Sequence, residues 1–196
     1  MSGVTPALFA EELLARLGMP QSENNVRALV ALQYQEGGHA NGATFNPINT
    51  MRDMPGSVNF KTKQRDAAPN QSVQAYQSWD DGIEAARRTL TNGLYNGILN
   101  ALRRSAPPEE TLREIAVSPF GWYEIKGGTR VPVAYPGALA IAKNDALFHK
   151  VALQAFSGGG RIGVLFGSRP RWLLFGVAAA LGVVGVILVV AGSKRR

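Results

Sequence analysis

Residues 172–192 carry no charged side chain, and no other stretch constrains the chain as much. At helical rise these 21 residues span about 31 Å, the thickness of a bilayer's hydrocarbon core. Their twelve Leu, Ile, Val and Phe residues favour insertion by roughly 4 to 7 kcal/mol on a membrane-insertion scale. No polar position interrupts the run as one would in a buried core helix. It is expected to cross a membrane once, which leaves any water-soluble domain to the residues before it. Arg169 and Arg171 precede the run and Lys194, Arg195 and Arg196 follow it. The slight basic excess at the carboxyl end points to that end lying inside.

The charge distribution agrees with this division. The 196-residue chain has a formal net charge of +7. Residues 1–150, however, hold fifteen Lys and Arg against all fourteen acidic residues, a net of only +1. The surplus cations are the five just named and Arg161. They flank the apolar run, so lipid phosphates are the expected partner. No base-reading motif accompanies them, and nucleic acid is not expected. The chain has no cysteine, which removes disulfides, thiolate catalysis and Cys-based zinc sites. Its two histidines, His39 and His149, are far apart and outside any HExxH pattern, so neither a metal nor a cofactor is expected. The amino terminus has Glu11, Glu12 and Arg16 in its apolar stretch and no basic n-region, unlike a secretory signal peptide.

Before the linker the pattern is mainly helical. Thr5-Pro6 reads as a cap with proline at the first helical position, and Leu8, Phe9, Leu13, Leu14 and Leu17 repeat at helical spacing up to Gly18. Ser22 caps a second helix with an inward stripe of Val26, Leu29, Val30 and Gln33. Glu36 arrives where the stripe runs out, and Gly37-Gly38 stops the helix. A carboxylate there sits at the edge of the core on a rigid element, which suits a group that must be half desolvated yet reachable.

Residues 39–70 lose helical periodicity and become rich in Asn, Gly, Thr, Pro and Lys, with short strands expected around 58–60 and 73–76. So long a loop in a compact domain is usually functional. Within it, the amides and hydroxyls of Asn46, Asn49 and Thr50 suit sugar hydroxyls and N-acetyl groups. The same residues also fit plain turn chemistry, with Asn before Pro and before Thr.

Ser78 caps a third helix, with Asp81 completing a capping-box-like arrangement, and Ile83, Ala86 and Leu90 on its apolar stripe. Leu94, Ile98 and Leu102 mark a fourth helix, and Pro108-Glu109-Glu110 opens a fifth with negative charge where the dipole favours it. Aromatics in 118–123, including Phe120, Trp122 and Tyr123, form either a lid on the core or a platform for a sugar face. The expected organisation is a domain over 1–135, an amphipathic connector helix over 136–156 lying on the domain or on a membrane surface, a Gly/Arg-rich linker over 157–171, the membrane helix and a basic tail over 193–196.

Several of these residues form an ordered set. Asn25 before a helix, Glu36-Gly37-Gly38, the Asn46-Pro47-Ile48-Asn49-Thr50 loop, Tyr76-Gln77-Ser78, Gly82-Ile83-Glu84-Ala85, Leu90-Thr91-Asn92-Gly93 and Ser118-Pro119-Phe120-Gly121 occur in turn. Together they resemble the lysozyme-like domains of phage tail and virion proteins, over roughly residues 5 to 123. The resemblance implies a mainly α, α+β lysozyme-like fold with a small β-ribbon beside a cleft, and cleavage of the glycan strand of peptidoglycan.

It also implies that Glu36 is the general acid and that Asn46, Asn49, Thr50, Gln74 and Tyr76 line the cleft. Asp53 or Asp66 is the candidate second carboxylate that would make the enzyme a hydrolase. Without one, attack by the sugar's own hydroxyl would make it a lytic transglycosylase. The implied setting is a virion protein that reaches the wall from outside, works beside other tail proteins, and lodges in the host envelope as a single-pass membrane protein during genome delivery. The competing expectations are a non-catalytic glycan-binding or channel-forming pilot protein and a host tail-anchored wall-remodelling enzyme.

Overall fold

A computed structural model describes residues 4–37, 43–60 and 72–154. The expected membrane run, its linker and its basic tail lie outside the described residues. Among the described residues no helix is long and apolar enough to cross a membrane.

The described part is mainly helical, with seven helices and two small antiparallel sheets. Helix α1, Pro6–Leu17, starts with the Thr5 hydroxyl accepting the Leu8 N–H and ends at Gly18 in the left-handed conformation, as its sequence predicts. Helix α2, Glu23–Glu36, starts from a Ser22 cap and stops at Gly37, also left-handed. The remaining helices are α3, Trp79–Leu90, α4, Asn96–Arg103, α5, Pro108–Val117, α6, Pro136–Lys143, and α7, Asp145–Ala152.

Helix α2 is the axis of the domain. The sequence predicts a one-sided apolar stripe, yet every residue from Asn25 to Gln33 is buried. Helices α1, α5, α6 and α7 all pack against it. An unpaired buried group costs about 1–3 kcal/mol, and the buried side-chain N–H donors of this helix meet specific partners, while Asn25 Oδ1 and Gln33 Oε1 have none among the described residues. The Asn25 amide donates to the carbonyls of Pro20 and Leu102, at 2.7 and 2.8 Å. The Gln33 amide donates to Pro6 and Leu29, at 3.0 and 3.2 Å. Arg27 donates to Asp145 at 2.6 Å and to Glu23 at 2.5 Å, with its guanidinium 4.5 Å from the centre of the Phe148 ring. These groups fix the rotation and height of α2, and therefore the position of Glu36 at its end.

The stretch over 136–156, expected as one connector helix, folds as two helices through 152. Asn144 breaks it by leaving the helical conformation and capping α7, its side chain accepting the Leu147 N–H. Ala138, Ile141, Ala142, Phe148 and Ala152 are all buried in the core, so the domain runs past residue 135.

The small ribbon forms where the sequence predicts it. Strand β1, Val58–Asn59, pairs antiparallel with β2, Gln74–Ala75. A second hairpin was not expected. Strands β3, Tyr123–Lys126, and β4, Thr129–Pro132, pair around Gly127-Gly128. Both glycines have positive φ, 56° and 80°, the requirement of a two-residue type I′ turn.

Candidate active site

Glu36 is the last residue of α2, and its carboxyl is held by two donors from distant parts of the chain. The Trp122 indole Nε1–H donates to Oε1 at 2.9 Å. The Asn49 amide donates to the Glu36 backbone carbonyl at 2.7 Å and, more weakly, to Oε2 at 3.4 Å. The first Asn49 bond satisfies one of the carbonyls that a helix end leaves without an internal partner.

Burial raises the Glu36 pKa above the ordinary carboxylate value, and the Trp122 and Asn49 hydrogen bonds offset only part of that rise. The reason is geometric. A buried carboxylate needs several good donors to stay charged, and this one has one short bond and one long bond. An indole N–H can only donate, so Oε1 is an acceptor in both protonation states. A proton on the carboxyl is less opposed at Oε2, which faces the longer of the two donor contacts.

The loop that delivers Asn49 is built by its neighbours. The buried Asn46 amide donates to the carbonyls of Thr50 and Gln74, at 2.8 and 2.7 Å, while its Oδ1 accepts the Thr50 N–H at 2.9 Å. Ile48 fills the core beneath. Asn49 can then take a φ of 54°, a left-handed conformation that asparagine tolerates better than most residues. The Thr50 hydroxyl meets the Thr89 hydroxyl at 2.6 Å and accepts the Arg52 N–H at 3.1 Å. The Gln74 side chain donates to Asn59 and to the Ser72 carbonyl, and accepts from the Ser57 hydroxyl. The Tyr76 hydroxyl donates to the Arg52 carbonyl at 2.7 Å.

Of the five residues expected to line the cleft, Asn49 is the one that touches Glu36. The polar atoms of Asn46, Thr50, Gln74 and Tyr76 hold the loop and ribbon, which for Asn46 and Thr50 is the turn chemistry that their sequence also allows. Asp53 lies on the ribbon side, where its charge, after burial, helps push the Tyr76 pKa upward. Asp66 lies outside the described residues.

Three participants were not expected at Glu36. Trp122 is 3% exposed, in keeping with a core aromatic, but its single polar atom lies on the carboxyl. Its ring rests 5.6 Å from that of Tyr135, and its backbone carbonyl accepts the Val133 N–H at 3.0 Å. Tyr95, at the foot of α4, packs at a tilt against Phe120, with ring centres 5.4 Å apart. Its pKa is raised by burial and by Glu36, with Arg52 pulling the other way. Tyr95 and Arg52 therefore share the electrostatic surroundings of Glu36. The aromatic content of 118–123 was the only sequence signal for this wall, and nothing in the sequence marked Tyr95.

Among the described residues no group of three or more His, Cys, Asp and Glu could hold a metal ion. His149 is exposed on α7, beside the Phe148 ring. No known protein family, curated protein or solved structure matches the chain.

Proposed function

We propose that this chain is a glycosidase that cuts the glycan strand of peptidoglycan, tethered to a membrane by residues 172–192 and delivered to the host wall by a phage particle. The observation that carries the catalytic part is the buried Glu36 carboxyl, with its pKa raised and Oε1 fixed by the Trp122 indole. Breaking a glycosidic bond requires a proton on the leaving oxygen, and a carboxyl that stays neutral near the working pH can supply it. Oε2 is the donor atom, and Oε1 anchors the group while the proton moves. Phe120, half-buried with its ring centre 5.4 Å from that of Tyr95, offers an apolar surface suited to a sugar face.

The second half of the reaction has two routes. Asp53 acting on a water or on the sugar would make the enzyme a hydrolase. Attack by the sugar's own hydroxyl, whose proton passes to the Glu36 carboxylate left after protonation of the leaving oxygen, would make it a lytic transglycosylase.

The full chain in mild detergent, incubated with purified walls, tests the reading through the masses of the soluble fragments. Glycan-strand fragments are expected. A terminus one water lighter than a reducing sugar identifies transglycosylation, and a reducing sugar identifies hydrolysis. Fragments severed only at peptide or amide bonds would overturn the glycosidase reading.

A further inference from the structure

Arginines that are not fully exposed are paired throughout the described residues, with one exception. Arg16 binds Glu12 and Asp80, Arg27 binds Glu23 and Asp145, and Arg87 binds Glu84. Arg52 is half-buried too, yet among the described residues its guanidinium has neither an ion pair nor a hydrogen bond. Its backbone is fixed on both sides, with its N–H on the Thr50 hydroxyl and its carbonyl under the Tyr76 hydroxyl. It stands three residues beyond Asn49, which touches Glu36. Its charge reaches the Tyr95 hydroxyl, which also feels Glu36. A half-buried cation on an anchored loop, with no ion pair among the described residues, is open to an anion brought by a ligand. The planar guanidinium fork suits a carboxylate in particular, through two parallel hydrogen bonds.

We infer that Arg52 is an anion-recognition residue of the cleft, taking a carboxylate carried by the glycan or its substituents close to the bond that is cut. This rests on the reading of the cleft as a glycan site, and it narrows the substrate to an acidic amino-sugar polymer rather than a neutral one. Asp53, next in the chain, and Arg52 both act on the Tyr76 hydroxyl, with opposite signs.

The test is co-sedimentation of the full chain in mild detergent with walls first stripped of phosphate polymers. Glu36→Gln is present in every chain so that the walls are not consumed. Half of the walls have their carboxylates blocked as amides. The chain with Arg52 is expected to bind untreated walls about tenfold more tightly than amidated ones, the size of one charge-assisted pair at a partly exposed site. With Arg52→Gln that ratio falls to about one, at the weaker affinity, and Arg52→Lys retains part of it. Because each ratio is taken within one variant, a change in fold stability does not imitate the result.

A tenfold ratio that survives Arg52→Gln overturns the proposal, as does a ratio of one with Arg52 in place. Release of glycan fragments by the Glu36 chain is scored separately. Fragments with no Arg52-dependent ratio sink the anion site alone. An Arg52-dependent ratio with no fragments sinks the glycosidase and leaves the anion site standing.

Discussion

At the scale of single residues the account turns on one carboxyl and the indole that holds it. Folded, Glu36 binds its proton more tightly than in the unfolded chain, whose carboxyl has the ordinary value near 4.5. The unfolded state therefore releases that proton first as pH rises. The Glu36 contribution to folding stability falls from about pH 4.5 upward and levels off above the folded pKa. Glu36→Gln stays neutral and can still accept from Trp122, so its melting temperature should match the natural chain at pH 3 and exceed it at pH 7. Equal melting temperatures at both pH values would show that the site stores no such strain. Trp122→Phe removes the donor that favours the charged form, so the Glu36 pKa should climb further. The alkaline limb of the pH–rate profile then moves to higher pH, with a stability loss of about 1–3 kcal/mol from the smaller ring. An unmoved alkaline limb would mean that the indole does not govern the proton.

At the scale of elements, the loop over 43–50 and helix α3 form one unit. An added Cβ at Gly82 would lie 1.9 Å from the Phe45 carbonyl oxygen, a backbone atom that cannot swing aside. Gly82→Ala should therefore cost about 3 kcal/mol, measured by denaturant unfolding, and should weaken activity by displacing Asn49. Asn46→Ala strips two buried carbonyls and one buried N–H of their partner and should cost about 3 kcal/mol or more.

The elements themselves were largely legible in the sequence. Thr5, Ser22 and Ser78 each cap the helix they were expected to cap, because capping is local chemistry written over three or four residues. The β3–β4 hairpin could have been found from Gly127-Gly128 between two short strands, since that dipeptide meets the two positive φ angles of the turn. The site was less legible. Glu36 stood out by its place at a helix end, but Trp122 meets it from 86 residues away. No periodicity or spacing encodes such a contact. The same limit applies to Asn46, whose amide suited sugars and backbone equally well in the sequence and is held by the Thr50 and Gln74 carbonyls in the fold.

For the molecule as a whole, α2 is both the centre of the core and the support of the candidate acid, since the residues that bury it also aim Glu36. Helices α6 and α7 close one side of it, and Arg27 clips α7 in place through Asp145 and the Phe148 ring. A chain ending at residue 135 should therefore lose its cooperative thermal transition, whereas one ending at residue 154 should keep it. Circular dichroism melting distinguishes the two, and a cooperative transition in the shorter chain would make α6 and α7 dispensable. The decisive comparison is clearing of purified walls at pH 6 by the full chain with Glu36 and with Glu36→Gln. The natural chain is expected to clear them, and the variant, correctly folded and still binding walls, to be at least about a hundredfold slower. Equal clearing by the two chains would contradict the role of Glu36 as general acid.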